Sequence, residues 1–206
     1  MIKPNKLSIQ SYMDIELTFD YIQKNSDTLI ILLPGNSYGI EAPMLYYTFG
    51  IGLELGYDIL AIEYAFQKVG KFYDASEVPF IIDDCRHAID EAMTFYPYKN
   101  IIFVGKSFGT VVQSVLSEEL VGVTIKHVFL TPVKKALPAM RLYKSLVITG
   151  TDDPFFTSED IATVSSLSLV TVKAYQDADH SMNTSSYKES LAILSELADR
   201  IFEFMK

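Results

Sequence analysis

The residues of this chain best suited to covalent chemistry are Gly105-Lys106-Ser107-Phe108-Gly109, which follow the short apolar run Ile101-Ile102-Phe103-Val104 and precede a helical pattern carrying Val111, Val112, Val115 and Leu116. A serine between two glycines at a strand-to-helix turn is the pattern of a nucleophile elbow. A serine hydroxyl attacks poorly at neutral pH unless it is exposed and has a general base beside it. The glycines serve exposure, because they let neighbouring backbone approach closely. A carboxylate and then a histidine should follow, each just past a later strand. The run Ser145-Leu146-Val147-Ile148-Thr149 empties into Gly150-Thr151-Asp152-Asp153-Pro154, with two carboxylates. The alternating stretch Leu167–Val172 leads on to Asp177-Ala178-Asp179-His180-Ser181. His87 falls in a helical pattern upstream of the serine and His127 in a strand pattern, which leaves His180 as the base.

These segments resemble the α/β-hydrolase family, in particular its small, lidless esterase and dienelactone-hydrolase-like members, and the resemblance runs through most of the chain. The elbow matches residues 105 to 109, the acid turn Gly150 to Pro154, and the histidine loop Asp179-His180. In that family the acid commonly stands three residues after the glycine that closes its strand, which implies Asp153. Pro154 fits, since a residue before proline is pushed toward extended backbone. Asp152 stays open as the alternative acid, and otherwise reads as a helix cap or solvated turn residue. The resemblance also implies an oxyanion hole made of the backbone N–H groups of Asn36 and Phe108. Pro34 stands where many members carry a histidine, and Pro34-Gly35-Asn36 also reads as a plain strand-ending turn. The implied activity is cleavage of a small or moderate-sized carboxylic ester through an acyl-enzyme, with no cofactor. Thioester hydrolysis, acyl transfer, carbon-carbon cleavage and a catalytically idle binding protein share the same constellation.

Such a site needs a framework that brings distant loops to one rim. Residues 7 to 22 read as one or two half-exposed strands at a sheet edge. Strand patterns near 28–34, 58–64, 100–105, 125–131, 145–150 and 167–174 alternate with helical patterns near 41–55, 77–96, 107–120 and 157–164. This alternation predicts one α/β domain over residues 1–206, a mostly parallel central sheet with helices on both faces. Ligands then bind outside the carboxyl ends of the strands. Pro132 to Lys144 is too short for a separate lid. A last helix should pack on the sheet through Tyr187, Leu191, Leu194, Ala198, Ile201 and Met205. Tyr38, Phe155, Phe156 and Phe108 lie nearest the proposed chemistry and are expected to line a substrate pocket. Tyr46, Tyr47, Tyr64 and Phe66 are weaker candidates that read mainly as core, and Lys106 reads as an outward or structural side chain.

Composition narrows the field further. The net charge is -9, which opposes a nucleic-acid or anionic-membrane partner. The segment Met1-Ile2-Lys3-Pro4-Asn5-Lys6 lacks the apolar core of a secretion signal, and no run approaches the roughly 20 residues of a membrane span, so a cytoplasmic protein is expected. The single cysteine, Cys85, lies on an apolar helical stripe with Ile81, Ala88, Ile89, Ala92 and Tyr96 and reads as a buried structural thiol. Histidine spacing supports no metal centre, and the glycine pattern around Gly35 and Gly39 lacks the further residues of a phosphate cradle. A small-molecule acyl substrate is the expected partner, and the oligomeric state is left open.

Overall fold

Thr28–Leu33 is buried at every position, which a strand achieves only when helices cover both faces of its sheet. The computed structural model describes residues 5–206, so Met1 to Pro4 of the segment without an apolar core lie outside the described residues. The chain runs β1 (Asn5–Gln10), β2 (Glu16–Ile22), β3 (Thr28–Leu33), α1 (Pro43–Leu55), β4 (Asp58–Ala61), α2 (Ala65–Lys68) and α3 (Val78–Phe95). It continues β5 (Asn100–Lys106), α4 (Phe108–Glu119), β6 (Thr124–Leu130), α5 (Leu137–Met140), β7 (Lys144–Gly150), α6 (Ser158–Ser165), β8 (Val170–Tyr175) and α7 (Tyr187–Met205). All eight strands form one sheet in the order β1-β2-β4-β3-β5-β6-β7-β8. β1 and β2 are antiparallel, as is β2 against β4, and every later pairing is parallel.

Side-chain alternation divides the interior. Leu29, Ile31 and Leu33 of β3 and Ile101 and Phe103 of β5 join Ile81, Cys85, Ala88 and Ile89 of α3 on one face. Ile30, Leu32, Ile102 and Val104 meet Met44, Leu45, Leu197 and Ile201 of α1 and α7 on the other. The period-two switch of faces is what a doubly covered sheet requires. Cys85 is buried there, as expected for a structural thiol.

Several boundaries differ from the periodicity. The strand expected to reach residue 64 ends at Ala61, because the backbone N–H of Gln67 bonds the Tyr64 carbonyl and opens the short α2. The strand expected from 167 begins at Val170, since the amide of Leu167 still bonds the carbonyl of Val164 at the end of α6. The last helix buries Ile193, Leu197, Ile201 and Met205, whereas Tyr187 and Leu191 are exposed. Leu194 and Ala198 of the expected stripe also pack against that core, so only its first two positions, Tyr187 and Leu191, stay outside it. Among the described residues no helix is long and apolar enough to cross a membrane, and no group of three His, Cys, Asp or Glu side chains is placed to hold a metal ion.

His127 on β6 has no exposed surface and lies between the rings of Phe103 and Phe129, at 5.5 and 5.1 Å, beside Tyr143. Neither ring nitrogen has a hydrogen-bond partner, and burial pulls its pKa down to about 3. The unfolded chain takes up this proton near pH 6.5 and the folded protein only near 3, so stability present above pH 6.5 is lost as pH falls through that window. The slope is at most about 1.4 kcal/mol per pH unit. Urea unfolding of the wild type and of His127→Phe between pH 7.5 and 4.5 should diverge, with the variant losing less stability on acidification. Parallel pH dependences would contradict this account of His127.

Candidate active site

The chain leaves β3 toward β4 on one side and later returns through α3 to β5 on the other, so a crevice opens between β3 and β5 at their carboxyl ends. Such a reversal of strand order is where open α/β sheets hold ligands. Ser107 sits there, between β5 and α4, with φ 52° and ψ -112°. A non-glycine residue at positive φ stores strain that the surrounding structure must sustain. The amide of Ser107 donates to the Leu130 carbonyl at 3.0 Å, pinning the turn to β6. Both flanking glycines are sterically required: a Cβ on Gly105 would lie 2.6 Å from the backbone of Gly109, and one on Gly109 would lie 2.2 Å from the Leu33 carbonyl oxygen.

The loop after β8 brings His180 to this serine. Nε2 of His180 lies 2.8 Å from Ser107 Oγ, and Nδ1 lies 2.8 Å from Asp153 Oδ2. The Asp153 side chain is fully buried and its Oδ1 accepts the Phe155 amide at 2.9 Å, so both carboxylate oxygens are engaged. With Asp153 accepting at Nδ1, the neutral imidazole carries its proton there and offers the Nε2 lone pair to Ser107. Asp152 is exposed, and its amide bonds the Ala178 carbonyl at 3.0 Å, tying the acid turn to the histidine loop. The histidine loop is closed on itself by Asp179, whose Oδ1 accepts the amides of Ser181 and Asn183.

The turn after β3 is held from beneath. Tyr64 donates its hydroxyl to the Pro34 carbonyl at 3.0 Å, and Gln67 Nε2 donates to the carbonyls of Gly35 and Asn36 at 2.7 and 3.1 Å. With those carbonyls drawn away, Asn36 and Phe108 line the cleft beside Ser107. Phe108 opens α4, where a helix leaves its N–H without an intrahelical acceptor. Among the described residues the Asn36 amide has no backbone acceptor either. Tyr64 and Gln67 were not legible as loop supports: Tyr64 reads as core and Gln67 belongs to no motif.

The cleft has a volume of about 860 Å³. Tyr38 and Phe155 line it, and the Phe155 ring meets the His180 ring edge-on at 4.8 Å. Phe156 does not line it. It is fully buried against Val147 and Val164, because α6 packs on the sheet directly behind the acid turn. Tyr73, Val78 and Pro79, none of them singled out in the sequence, complete the apolar wall together with Val111 of the helix after the elbow. Tyr64 and Phe66 are core, whereas Tyr46 and Tyr47 are exposed and stack edge-on against each other. Lys106, expected to face outward or act structurally, is 3% exposed and reaches the cleft. Its Nζ donates to the His180 carbonyl at 3.1 Å and lies 5.1 Å from the centre of the Tyr38 ring. Burial pulls the ammonium pKa down to about 8, against the attraction of Asp153 and Asp179.

No protein-family model matches the sequence, and no curated protein matches it. Solved structures do. An esterase from Pyrococcus furiosus superposes with a TM-score of 0.75 at 16% identity, over 99% of this chain and 90% of that one. An alpha-beta serine hydrolase homologue from Coxiella burnetii gives 0.73 at 15% identity, covering 100% of this chain and 99% of the other. A serine hydrolase without a lid from Xanthomonas campestris gives 0.69 at 15% identity, over 98% and 93%. Identities this low speak to architecture alone, and on that evidence the chain has the single-domain, lidless α/β-hydrolase fold.

Proposed function

We propose that this protein is a serine hydrolase that cleaves small or moderate-sized carboxylic esters. The observation that carries the reading is the unbroken line from Ser107 Oγ through His180 to Asp153, with both hydrogen bonds at 2.8 Å. His180 takes the serine proton as Oγ attacks the ester carbonyl, and Asp153 stabilises the imidazolium and fixes its orientation. The amides of Asn36 and Phe108 receive the oxyanion, a contribution of several kcal/mol when donors are preorganised. His180 then protonates the leaving alcohol, and the same residue activates water to hydrolyse the acyl-enzyme. The route uses only this chain and water.

Substrate size follows from the cleft. The segment joining β6 to β7 contains a 3-10 turn at Lys134–Ala136 and the four-residue α5, with no cover over the crevice. With no lid above it, a long acyl chain would keep part of its apolar surface in water, whereas a short one is shielded by Tyr38, Phe155 and Val111. Thioesters suit the same oxyanion site, and a panel of short p-nitrophenyl esters, thioesters and lactones ranks the leaving groups.

Hydrolysis of p-nitrophenyl butyrate tests the assignment. Ser107→Ala should remain folded while kcat/KM falls by about 10³-fold or more, because members of such a triad act as a unit. A folded variant with wild-type turnover contradicts it. In Asp153→Asn the Phe155 amide claims the one remaining oxygen and an NH2 donor faces His180 Nδ1, which selects the wrong imidazole tautomer and should lower kcat by about 10³ to 10⁴-fold. Asp152→Asn, at an exposed turn, should change kcat less than about twofold, within the range of ordinary surface substitutions. Equal losses in the two variants would contradict the choice of acid.

A further inference from the structure

A lysine ammonium is rarely found almost fully buried, because removal from water costs several kcal/mol unless something accepts its protons. Lys106 is such a residue, 3% exposed, at the last position of β5 and next to Ser107. Its hydrogen-bond acceptor is neither of the nearby carboxylates but the main-chain carbonyl of His180, at 3.1 Å. An apolar side chain would occupy this place without the desolvation cost.

Ser107 and His180 are 73 residues apart, and the elbow and the histidine loop are joined by two hydrogen bonds among the described residues. One is the Ser107–His180 bond that the reaction itself uses. The other comes from Lys106. Once Ser107 Oγ is acylated it has no proton to share, so the first bond is gone in the acyl-enzyme. The bond from Lys106 then alone ties the histidine loop to the elbow, while Asp153 and the Asp152 amide tie that loop only to the acid turn.

We propose that Lys106 is a positioning residue for the second half of the reaction, holding His180 against the acylated elbow so that its imidazole can activate water. The inference rests on the serine-hydrolase reading above. In this step water attacks the acyl carbonyl as its proton passes to His180 Nε2. That proton then goes to Ser107 Oγ as the acyl carbon-oxygen bond breaks and the acid leaves. A displacement of His180 by about 1 Å at this stage costs on the order of 10²-fold in rate. In the free enzyme the serine bond compensates, so acylation is spared. Tyr38 caps the ammonium from the oxyanion loop, and its phenol, raised above its usual value of 10 by burial, stays neutral where Lys106 titrates.

Stopped-flow hydrolysis of p-nitrophenyl acetate by the wild type and Lys106→Met separates the two steps. The variant should acylate within about threefold of the wild type and deacylate about 10 to 100-fold more slowly, giving a burst near one equivalent of nitrophenol and a lower KM along with lower kcat. Equal slowing of both steps, or unchanged deacylation in a folded variant, overturns the proposal. If Lys106→Met does not fold, Lys106→Leu decides by the same two rates: selective slowing of deacylation supports the role, and unchanged deacylation in a folded variant overturns it and leaves the triad reading standing. A wild type that forms no acyl-enzyme overturns both.

Discussion

Everything at the proposed site depends on one steric constraint, the closeness with which α4 starts beneath the ends of β3 and β5. Gly109 lies so near the Leu33 carbonyl that no Cβ fits, and Gly105 lies as close to Gly109 in turn. This approach forces Ser107 to positive φ and lifts its hydroxyl clear of the sheet. It also places the first amide of α4 beside the turn after β3, where Asn36 sits. The proposed nucleophile and the proposed oxyanion donors are thus two consequences of one backbone crossing, held by packing on both sides of the sheet.

The electrostatics of the other half are set by burial. Asp153 has no exposed side-chain surface, and its two oxygens are satisfied by the Phe155 amide and the His180 ring. A charge-assisted hydrogen bond in such surroundings is stronger than one in water and fixes the ring against rotation. Lys106 adds a positive charge facing Asp153 and Asp179, in a protein whose net charge is -9. His127 shows the contrasting case: buried among aromatic rings with nothing to accept its proton, it is held neutral and takes no part in the site.

Much of this was readable from residues in order. The apolar runs of β3, β5 and β7, the glycines around Ser107 and the carboxylates after Gly150 each carry local chemical meaning, and the structure brings Ser107, Asp153 and His180 together. What the sequence hid was tertiary. Phe156 looks like a pocket residue beside Phe155, but only Phe155 reaches the cleft, and α6 claims Phe156 for the core. Tyr187 and Leu191 continue an apolar stripe on α7, but the helix reaches the sheet only from Ile193 onward. Gln67 lies on no motif, and the elbow pattern around Ser107 leaves the side chain at Lys106 unspecified. Their acceptors are main-chain carbonyls 31 to 74 residues away, and no pattern of side chains announces a carbonyl.

The central claim is that distant loops converge to make the Ser107 hydroxyl nucleophilic. Incubation of the wild-type protein with a fluorophosphonate at neutral pH, followed by intact-mass and peptide mapping, addresses it directly. The account predicts a single adduct on the peptide containing Ser107, lost in His180→Ala. No adduct, or an adduct on another serine, would contradict it.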